Sequence, residues 1–267
     1  MAIPGSVDYT WPMKNTENYT GDVTDVRTIS ELDLGSRYDR VWQPFIEQWA
    51  DGHLIVAWGH HLNGKIDMGD ILCSVSKDDG DTWQPPVEIF DHQKTSGPVR
   101  FAYANPALYH VPGQEIVWCF AMRCPLHYRD SENSELCAAY TADGGYSWVD
   151  VELTNHFASP LITCNAPMKY GEKYLLPLHR NTLREDPFGD ARQFILESKD
   201  LLSWHLAGYV PFEESNPVFL HEASLVQTAD AELTIVMRTA TYGHKSYNAL
   251  PNERAYRGMS TDGGHTW

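Results

Sequence analysis

The chain has 267 residues, 42% of them hydrophobic, which is enough for one large domain with a sizeable core. Its formal net charge of −16 argues against nucleic acid and against an anionic membrane as partners. No apolar stretch is long enough to span a bilayer, and residues 1–15 lack the basic and apolar segments of a secretory signal. These features predict a cytoplasmic protein, although a secreted or periplasmic protein whose signal peptide had been removed would look the same.

The first predicted elements follow a polar segment rich in Gly, Pro and Asn. Residues 1–35 are predicted to be a lead-in, with one strand at 26–34 that would complete the last unit of a ring. After it, three short apolar strands recur in four successive units, and turn signals such as Asp51-Gly52 join the first two strands of a unit into a hairpin. The predicted strands are 43–49, 53–58 and 70–75; 105–110, 115–122 and 134–140; 165–170, 173–178 and 191–196; and 222–227, 232–237 and 255–259. Short strands at this density indicate an all-β fold.

A turn motif closes each unit. Residues 76–83 (SKDDGDTW) return as 141–148 (TADGGYSW) and 260–267 (STDGGHTW), with a degenerate copy at 198–204 (SKDLLSW). The Asp of each copy can accept hydrogen bonds from backbone N–H groups ahead of it, and Gly supplies a positive φ in the three good copies. The motif's tryptophans lie 65, 56 and 63 residues apart, at Trp83, Trp148, Trp204 and Trp267. Such a repeat indicates one supersecondary unit used several times, with the Trp packed between neighbouring units.

Five cysteines are present, an odd number without the spacing of a disulfide framework. Three of them, Cys73, Cys119 and Cys137, fall in apolar runs typical of strands, which predicts buried free thiols. The sequence contains no Cys/His pattern that fits zinc and no glycine-rich phosphate loop. We therefore predict neither a metal nor a cofactor.

Polar residues recur at one edge of every predicted hairpin. In an antiparallel hairpin the start of the first strand lies beside the end of the second, so these positions would surround one mouth of a ring. The starts of the first strands supply Gln43, Asn105, Asn165 and Glu222. The ends of the second strands supply His60, His61, Arg123, His179, Arg180 and Arg238. Together they predict a polar, partly basic site, in which Arg would bind a substrate carboxylate through two parallel N–H bonds.

The repeated turn resembles the Asp-box, S/T-x-D-x-G-x-T/S-W, of sialidase-like (BNR-repeat) proteins. The resemblance covers roughly residues 40–267 and implies a six-bladed β-propeller of four-stranded antiparallel blades. Each box would then lie between the third and fourth strands of a blade. We expect residues 1–267 to form one such domain, truncated after about four blades because four units of about 60 residues are too few for a closed ring.

The resemblance also implies roles for individual residues. It is best at residues 222–225 (EASL) and 235–238 (IVMR). In sialidases a Glu at this place acts as the base toward a Tyr nucleophile, and the Arg helps to clamp the sialate carboxylate; Glu222 and Arg238 are similar to these two. Asp67 lies in the loop where the family's acid/base Asp is expected. The Tyr and a last clamp Arg are expected after Trp267.

Three functions are consistent with these residues. The leading hypothesis is a sialidase-like exo-glycoside hydrolase whose partner is a glycan with a terminal acidic sugar, with Glu222 and Asp67 as catalytic carboxylates. The second is a polysaccharide lyase, in which a His such as His60 removes a C5 proton and an Arg neutralises a uronate carboxylate. Gln43 stands where sialidases have their first clamp Arg, which favours this alternative. The third is a propeller that binds sugars without catalysis.

Overall fold

The computed structural model describes residues 38–94, 98–129, 133–157, 161–180, 191–211, 218–241 and 255–267. Every regular element in these residues is a β-strand, which confirms the all-β prediction. Within the same residues there is no apolar helix of membrane-spanning length. The predicted lead-in at 1–35, with its strand at 26–34, lies outside the described residues.

The strands form four blades in chain order. Blade 1 contains β1 (Tyr38–Gln48), β2 (Leu54–Leu62), β3 (Gly69–Ser76) and β4 (Val87–Phe90). Blade 2 contains β5 (Phe101–His110), β6 (Val117–Pro125), β7 (Glu135–Thr141) and β8 (Val149–Val151). Blade 3 contains β9 (Thr154–Asn155), β10 (Ile162–Thr163), β11 (Met168–Tyr170), β12 (Lys173–His179), β13 (Gln193–Ser198) and β14 (Ser203–Tyr209). Blade 4 contains β15 (Val218–Ala229), β16 (Glu232–Thr241) and β17 (Tyr256–Ser260).

Each blade is an antiparallel meander, as predicted. Successive strands pair with one another in blades 1, 2 and 4 and from β12 to β14 in blade 3, and the outer strands β4, β8 and β14 follow the repeated turn. In blade 3 the first strand is broken into β10 and β11, which both pair with β12. Pro167 lies in this break, where its missing N–H would leave a gap in a continuous ladder. Strand β9 is parallel to β14 and so ties the chain leaving blade 2 to blade 3.

Three of the hydrophobic clusters among the described residues are layers, each between two neighbouring blades. Blade 1 meets blade 2 through side chains such as Ile55 and Leu108, and blade 3 meets blade 4 through Ile195 and Ile235. Between blades 2 and 3 the ring of Phe120 meets Trp204 edge-on, with the ring centroids 5.7 Å apart. Because successive strand residues point to opposite faces, blades 2 and 3 bury both faces. The described blades therefore stack face to face.

The repeated turns form the hydrogen bonds that their sequence predicts. In the first copy Ser76 Oγ donates to Asp78 Oδ1 over 2.9 Å and accepts from Gly80 N over 2.8 Å, while Thr82 N donates to Asp78 Oδ1 over 2.7 Å. The hydroxyl of Thr82 donates to Asp78 Oδ2 over 2.6 Å and is the largest cause of the lowered pKa of Asp78. The other good copies repeat this pattern around Asp143 and Asp262. The turn is thus a self-contained scaffold element.

The tryptophans of these turns pack against the preceding blade. Trp148 belongs to blade 2 but donates its Nε1–H to Cys73 Sγ of blade 1 over 3.2 Å. Trp204 is fully buried in the layer between blades 2 and 3, and Trp267 packs on the layer between blades 3 and 4. Trp83, in blade 1, is half-buried. All five cysteines are free, and the three expected to be buried are buried.

Candidate functional site

One structural irregularity recurs at the predicted starts of the first strands. In blades 1, 2 and 4 the first strand has a bulge, where the register shifts between Trp42 and Phe45, Ala104 and Ala107, and His221 and Ser224. The first bulged residue has a positive φ each time: 54° at Gln43, 55° at Asn105 and 51° at Glu222. A non-glycine residue in this conformation costs about 1–3 kcal/mol and marks functional sites more often than plain scaffold.

Side chains of the preceding blade hold these bulges in place. The N–H of Asn105 in blade 2 donates to Gln43 Oε1 of blade 1 over 3.0 Å. The N–H of Glu222 in blade 4 lies 3.4 Å from His179 Nδ1 of blade 3. Asn165, which lies in the break between β10 and β11, donates its Nδ2–H to Ser224 Oγ over 2.7 Å. The predicted rim residues Gln43, Asn105, Asn165, His179 and Glu222 are therefore linked from blade to blade.

Glu222 forms an ion pair with the strand beside it. Its Oε1 accepts a hydrogen bond from Arg238 Nη1 over 2.6 Å, and both side chains are a little more than one third exposed, at 39% and 38%. His221, next to Glu222, lies opposite Arg238 in the ladder, and its Nδ1 is 3.8 Å from Glu222 Oε1. The carboxylate thus faces solvent with one cation fixed beside it.

Asp67 shares the site with Glu222. It also has a positive φ, of 50°, in the loop between β2 and β3. Burial raises the pKa of Asp67, the charge of Arg40 opposes this effect, and the charge of Glu222 raises the pKa further. The thiol of Cys164 lies in the same environment, because its pKa is raised by burial first and then by the charges of Glu222 and Asp67. Two carboxylates from blades 1 and 4 are therefore electrostatically coupled.

The two adjacent histidines of β2 occupy different surroundings. His60 is half-buried against Tyr38, with the ring centroids 5.2 Å apart, and burial lowers its pKa. His61 is 0% exposed, with Nδ1 3.9 Å from Asp67 Oδ1. His61 is thus packed behind the loop that carries Asp67, where it does not reach a ligand in the mouth. This corrects its predicted role in substrate contact.

Two predicted arginines point away from Glu222. Arg180 is 1% exposed; its Nε donates to Ala191 O over 3.0 Å, and its guanidinium lies 5.0 Å from the centroid of the Phe194 ring. Arg123 pairs with Glu135 over 3.1 Å and lies over the Phe101 ring. These contacts explain why neither guanidinium faces Glu222, and they correct the prediction that both line the same mouth.

Arg123 instead lines a cavity of about 420 Å³ between blades 1 and 2. Its walls are polar and bear both charges: the lining residues include Glu88, Asp91 and Asp150 beside Lys94. Lys94 already pairs with Glu88 and Asp91. The cavity is therefore largely a network of internal ion pairs at the blade boundary.

A buried polar network lies beneath β1. Asp70 accepts hydrogen bonds from the hydroxyl of Tyr38 and from the backbone N–H of His92, the latter over 2.7 Å. The Nδ1 of His92 is 2.6 Å from Asp70 Oδ1, and a carboxylate oxygen of Asp91 lies in the same cluster. These bonds tie Asp70 to Tyr38 of β1 and to His92, which follows β4.

Sequence reasoning missed three residues of the site, namely Arg40, Cys164 and His221. Cys164 and His221 each precede a predicted strand start by one residue, so a window one residue wider would have included them. Arg40 lies before the first predicted strand, and β1 begins earlier than predicted, at Tyr38.

Comparisons with known proteins identify the fold. No protein-family model and no curated protein matches the sequence. Among solved structures, the chain is similar to a protein of unknown function from Dyadobacter fermentans (20% identity, TM-score 0.62, 86% of this chain and 68% of that chain). It is similar to the Hadza microbial sialidase Hz136 (18% identity, TM-score 0.63, 85% of this chain and 45% of that chain). It is also similar to the α-L-arabinanase of Penicillium chrysogenum complexed with arabinobiose (16% identity, TM-score 0.59, 84% of this chain and 64% of that chain).

These likenesses define the class of the fold, which is a sialidase-like β-propeller. The chain spans 45% and 64% of the length of the sialidase and the arabinanase, and 68% of the Dyadobacter protein. At these identities the likeness establishes architecture and not activity.

Proposed function

We propose that the protein is an exo-acting glycoside hydrolase in which Asp67 is the general acid and Glu222 the base. One observation carries this proposal: two carboxylates share a site but have different surroundings. Burial and the charge of Glu222 raise the pKa of Asp67, whereas Arg238 lies 2.6 Å from Glu222. Pairs of carboxylates with contrasting environments are how glycosidases keep one group protonated and the other ionised.

The chemistry follows from these two states. Protonated Asp67 donates its proton to the glycosidic oxygen as the bond to the leaving group breaks. Glu222, held beside Arg238, removes the proton from the attacking hydroxyl, which in a sialidase-like reaction belongs to a tyrosine. Asp67, now ionised, takes a proton from the water that attacks the sugar's anomeric carbon, while Glu222 returns its proton to the departing tyrosine oxygen, so both carboxylates are restored. The positive φ at Asp67 and at Glu222 sets the backbone position from which each carboxylate extends.

For the substrate we propose a terminal acidic sugar, with Arg238 directed at its carboxylate. A guanidinium beside the catalytic Glu can bind a carboxylate, although here one of its nitrogens already donates to Glu222. A neutral sugar such as arabinofuranose is the second candidate. It is favoured by the amide side chains of Gln43 and Asn165, which are partly exposed and suit hydroxyl groups, and by the likeness to an arabinanase.

The lyase alternative is less well supported than these two. It depends on exposed histidines, but His61 and His179 are buried, and Nδ1 of His179 faces the N–H of Glu222. His60 is half-buried and lies closest to Tyr38 and Trp58. A sugar-binding protein without catalysis would not require one carboxylate to raise the pKa of another.

The test compares the purified chain with two variants on three substrates: an aryl sialoside, an aryl arabinofuranoside and a uronate polysaccharide. Glu222→Gln should abolish hydrolysis of whichever glycoside is cleaved. Glu135→Gln is the matched control, because Glu135 also pairs with an Arg on the adjacent strand, over 3.1 Å, but in blade 2 and not in blade 4. Hydrolysis unaffected by Glu222→Gln, or an unsaturated uronate product absorbing in the ultraviolet, would refute the proposal.

A further inference from the structure

The bulge at Glu222 leaves its backbone N–H outside the strand ladder. In β15 the register passes from His221, paired with Arg238, to Ser224, paired with Val236. Glu222 and the residue after it have no ladder partner across this step. A buried N–H without an acceptor is costly, so its partner helps to decide whether the bulge persists.

That partner is His179, at the end of β12 in the neighbouring blade. Its side chain is almost fully buried, and its Nδ1 lies 3.4 Å from the Glu222 nitrogen. A backbone N–H can only donate, so Nδ1 must present its lone pair, and the ring hydrogen must be on Nε2. Gln43 Oε1 accepts from the N–H of Asn105 at the equivalent bulge of blade 2. A side chain of the preceding blade therefore accepts the N–H of a bulged residue at both places. Of these two acceptors, the one at the bulge of blade 4 can be protonated.

The groups around His179 oppose its protonation. The ring of His221 is 5.3 Å away, centroid to centroid, and is buried as well. Burial lowers the pKa of His179 well below its usual value, and His221, Arg238 and Arg192 each lower it further. The carboxylate of Glu222 lies beside this pair, with Oε1 3.8 Å from His221 Nδ1. The hydrogen bond requires the neutral form of His179, and the surroundings of the ring favour the same form.

We propose that His179 is a positioning residue: its unprotonated Nδ1 holds the strained backbone of Glu222, and so the direction of the carboxylate. The inference rests on the proposed function, because it assigns Glu222 the catalytic role. His179 itself touches no substrate in this mechanism. Its effect is on the geometry of Glu222, and an error of about 1 Å in the placement of a reacting group costs about 100-fold in rate.

Two substitutions separate this role from simple packing. His179→Asn places an amide oxygen where Nδ1 lies and cannot be protonated, whereas His179→Ala removes the acceptor. We expect His179→Ala to lower kcat about 10–100-fold with little change in KM. His179→Asn should recover most of the neutral-pH kcat at an unchanged KM. His205→Asn, an exposed histidine of β14 in the same blade, is the control and should leave both unchanged.

The hydrogen bond is also measured without activity. Nitrogen-15 NMR of the histidine rings should show the His179 ring neutral at pH 6, with the hydrogen on Nε2. A proton on Nδ1, or an Asn variant as impaired as the Ala variant, would overturn the inference. If Glu222→Gln proves fully active, the proposed function fails, and the NMR result still decides whether His179 holds the bulge.

Discussion

Acidification should destabilise this fold through the buried histidine His221, and the loss can be calculated. Burial, together with the charges of Arg238 and Arg192, lowers the pKa of His221 from 6.5 to about 4. The folded state therefore binds fewer protons than the unfolded state between these two values, and stability falls as the pH falls from 6.5 to 4. A difference of about 2.5 pKa units corresponds to about 3 kcal/mol, because one unit is worth about 1.4 kcal/mol.

The assay is urea unfolding at several pH values between 4 and 7. The wild-type free energy of unfolding should be constant above pH 7 and should decline below 6.5. In His221→Gln the decline should be smaller by about 3 kcal/mol at pH 4, whatever the cost of the substitution at neutral pH. His205→Gln removes an exposed histidine and should keep the wild-type slope. Equal slopes for wild type and His221→Gln would refute the reasoning.

Three further predictions concern the scaffold and the ion pair. Asp78→Ala should lower the free energy of unfolding by about 1–3 kcal/mol, measured by urea unfolding, and leave kcat unchanged, because Asp78 accepts three bonds within its own turn; lost activity at unchanged stability would contradict this. Trp204→Ala should lower the free energy of unfolding by about 3–5 kcal/mol, since Trp204 is fully buried. Trp42→Ala, at a residue that is 52% exposed, should lower it by less than about 0.5 kcal/mol. Equal losses in the two variants would contradict the stacked-blade core. Arg238→Lys should raise KM in steady-state kinetics while circular dichroism stays unchanged, because Lys keeps the charge but lacks the planar fork; an unchanged KM would remove Arg238 from substrate binding.

The architecture was predictable because its signals are local. The turn motif needs only its own residues to form its hydrogen bonds, so its recurrence revealed the blades directly. Hairpin geometry then aligned Gln43, Asn105 and Glu222, and the structure gives all three the same bulge. The bulge itself was not predictable, since a register shift depends on the partner strand and has no fixed composition.

The errors at the site come from side-chain direction near strand ends. Arg123 follows Cys119 and Ala121 at intervals of two in β6, and both of those residues pack toward blade 1. The arginine therefore shares their face, and the period of two made this foreseeable. Arg180 lies just beyond β12, where the chain no longer follows the alternation of the strand and the guanidinium turns back to Ala191. His60 and His61 are neighbours, so one of them had to point away from the mouth.

The thiols between the first two blades have a practical use as reporters of motion. Cys73, Cys119 and Cys137 all lie in one inter-blade layer, and burial raises their pKa, to about 12 for Cys73. Only the thiolate attacks a thiol reagent, and a buried thiol with a raised pKa is protonated. These sulfurs therefore react when blade 1 separates from blade 2 and water enters. The labelling rate at neutral pH then measures how often this boundary opens, and its comparison with global unfolding tells whether the blades separate singly or all together.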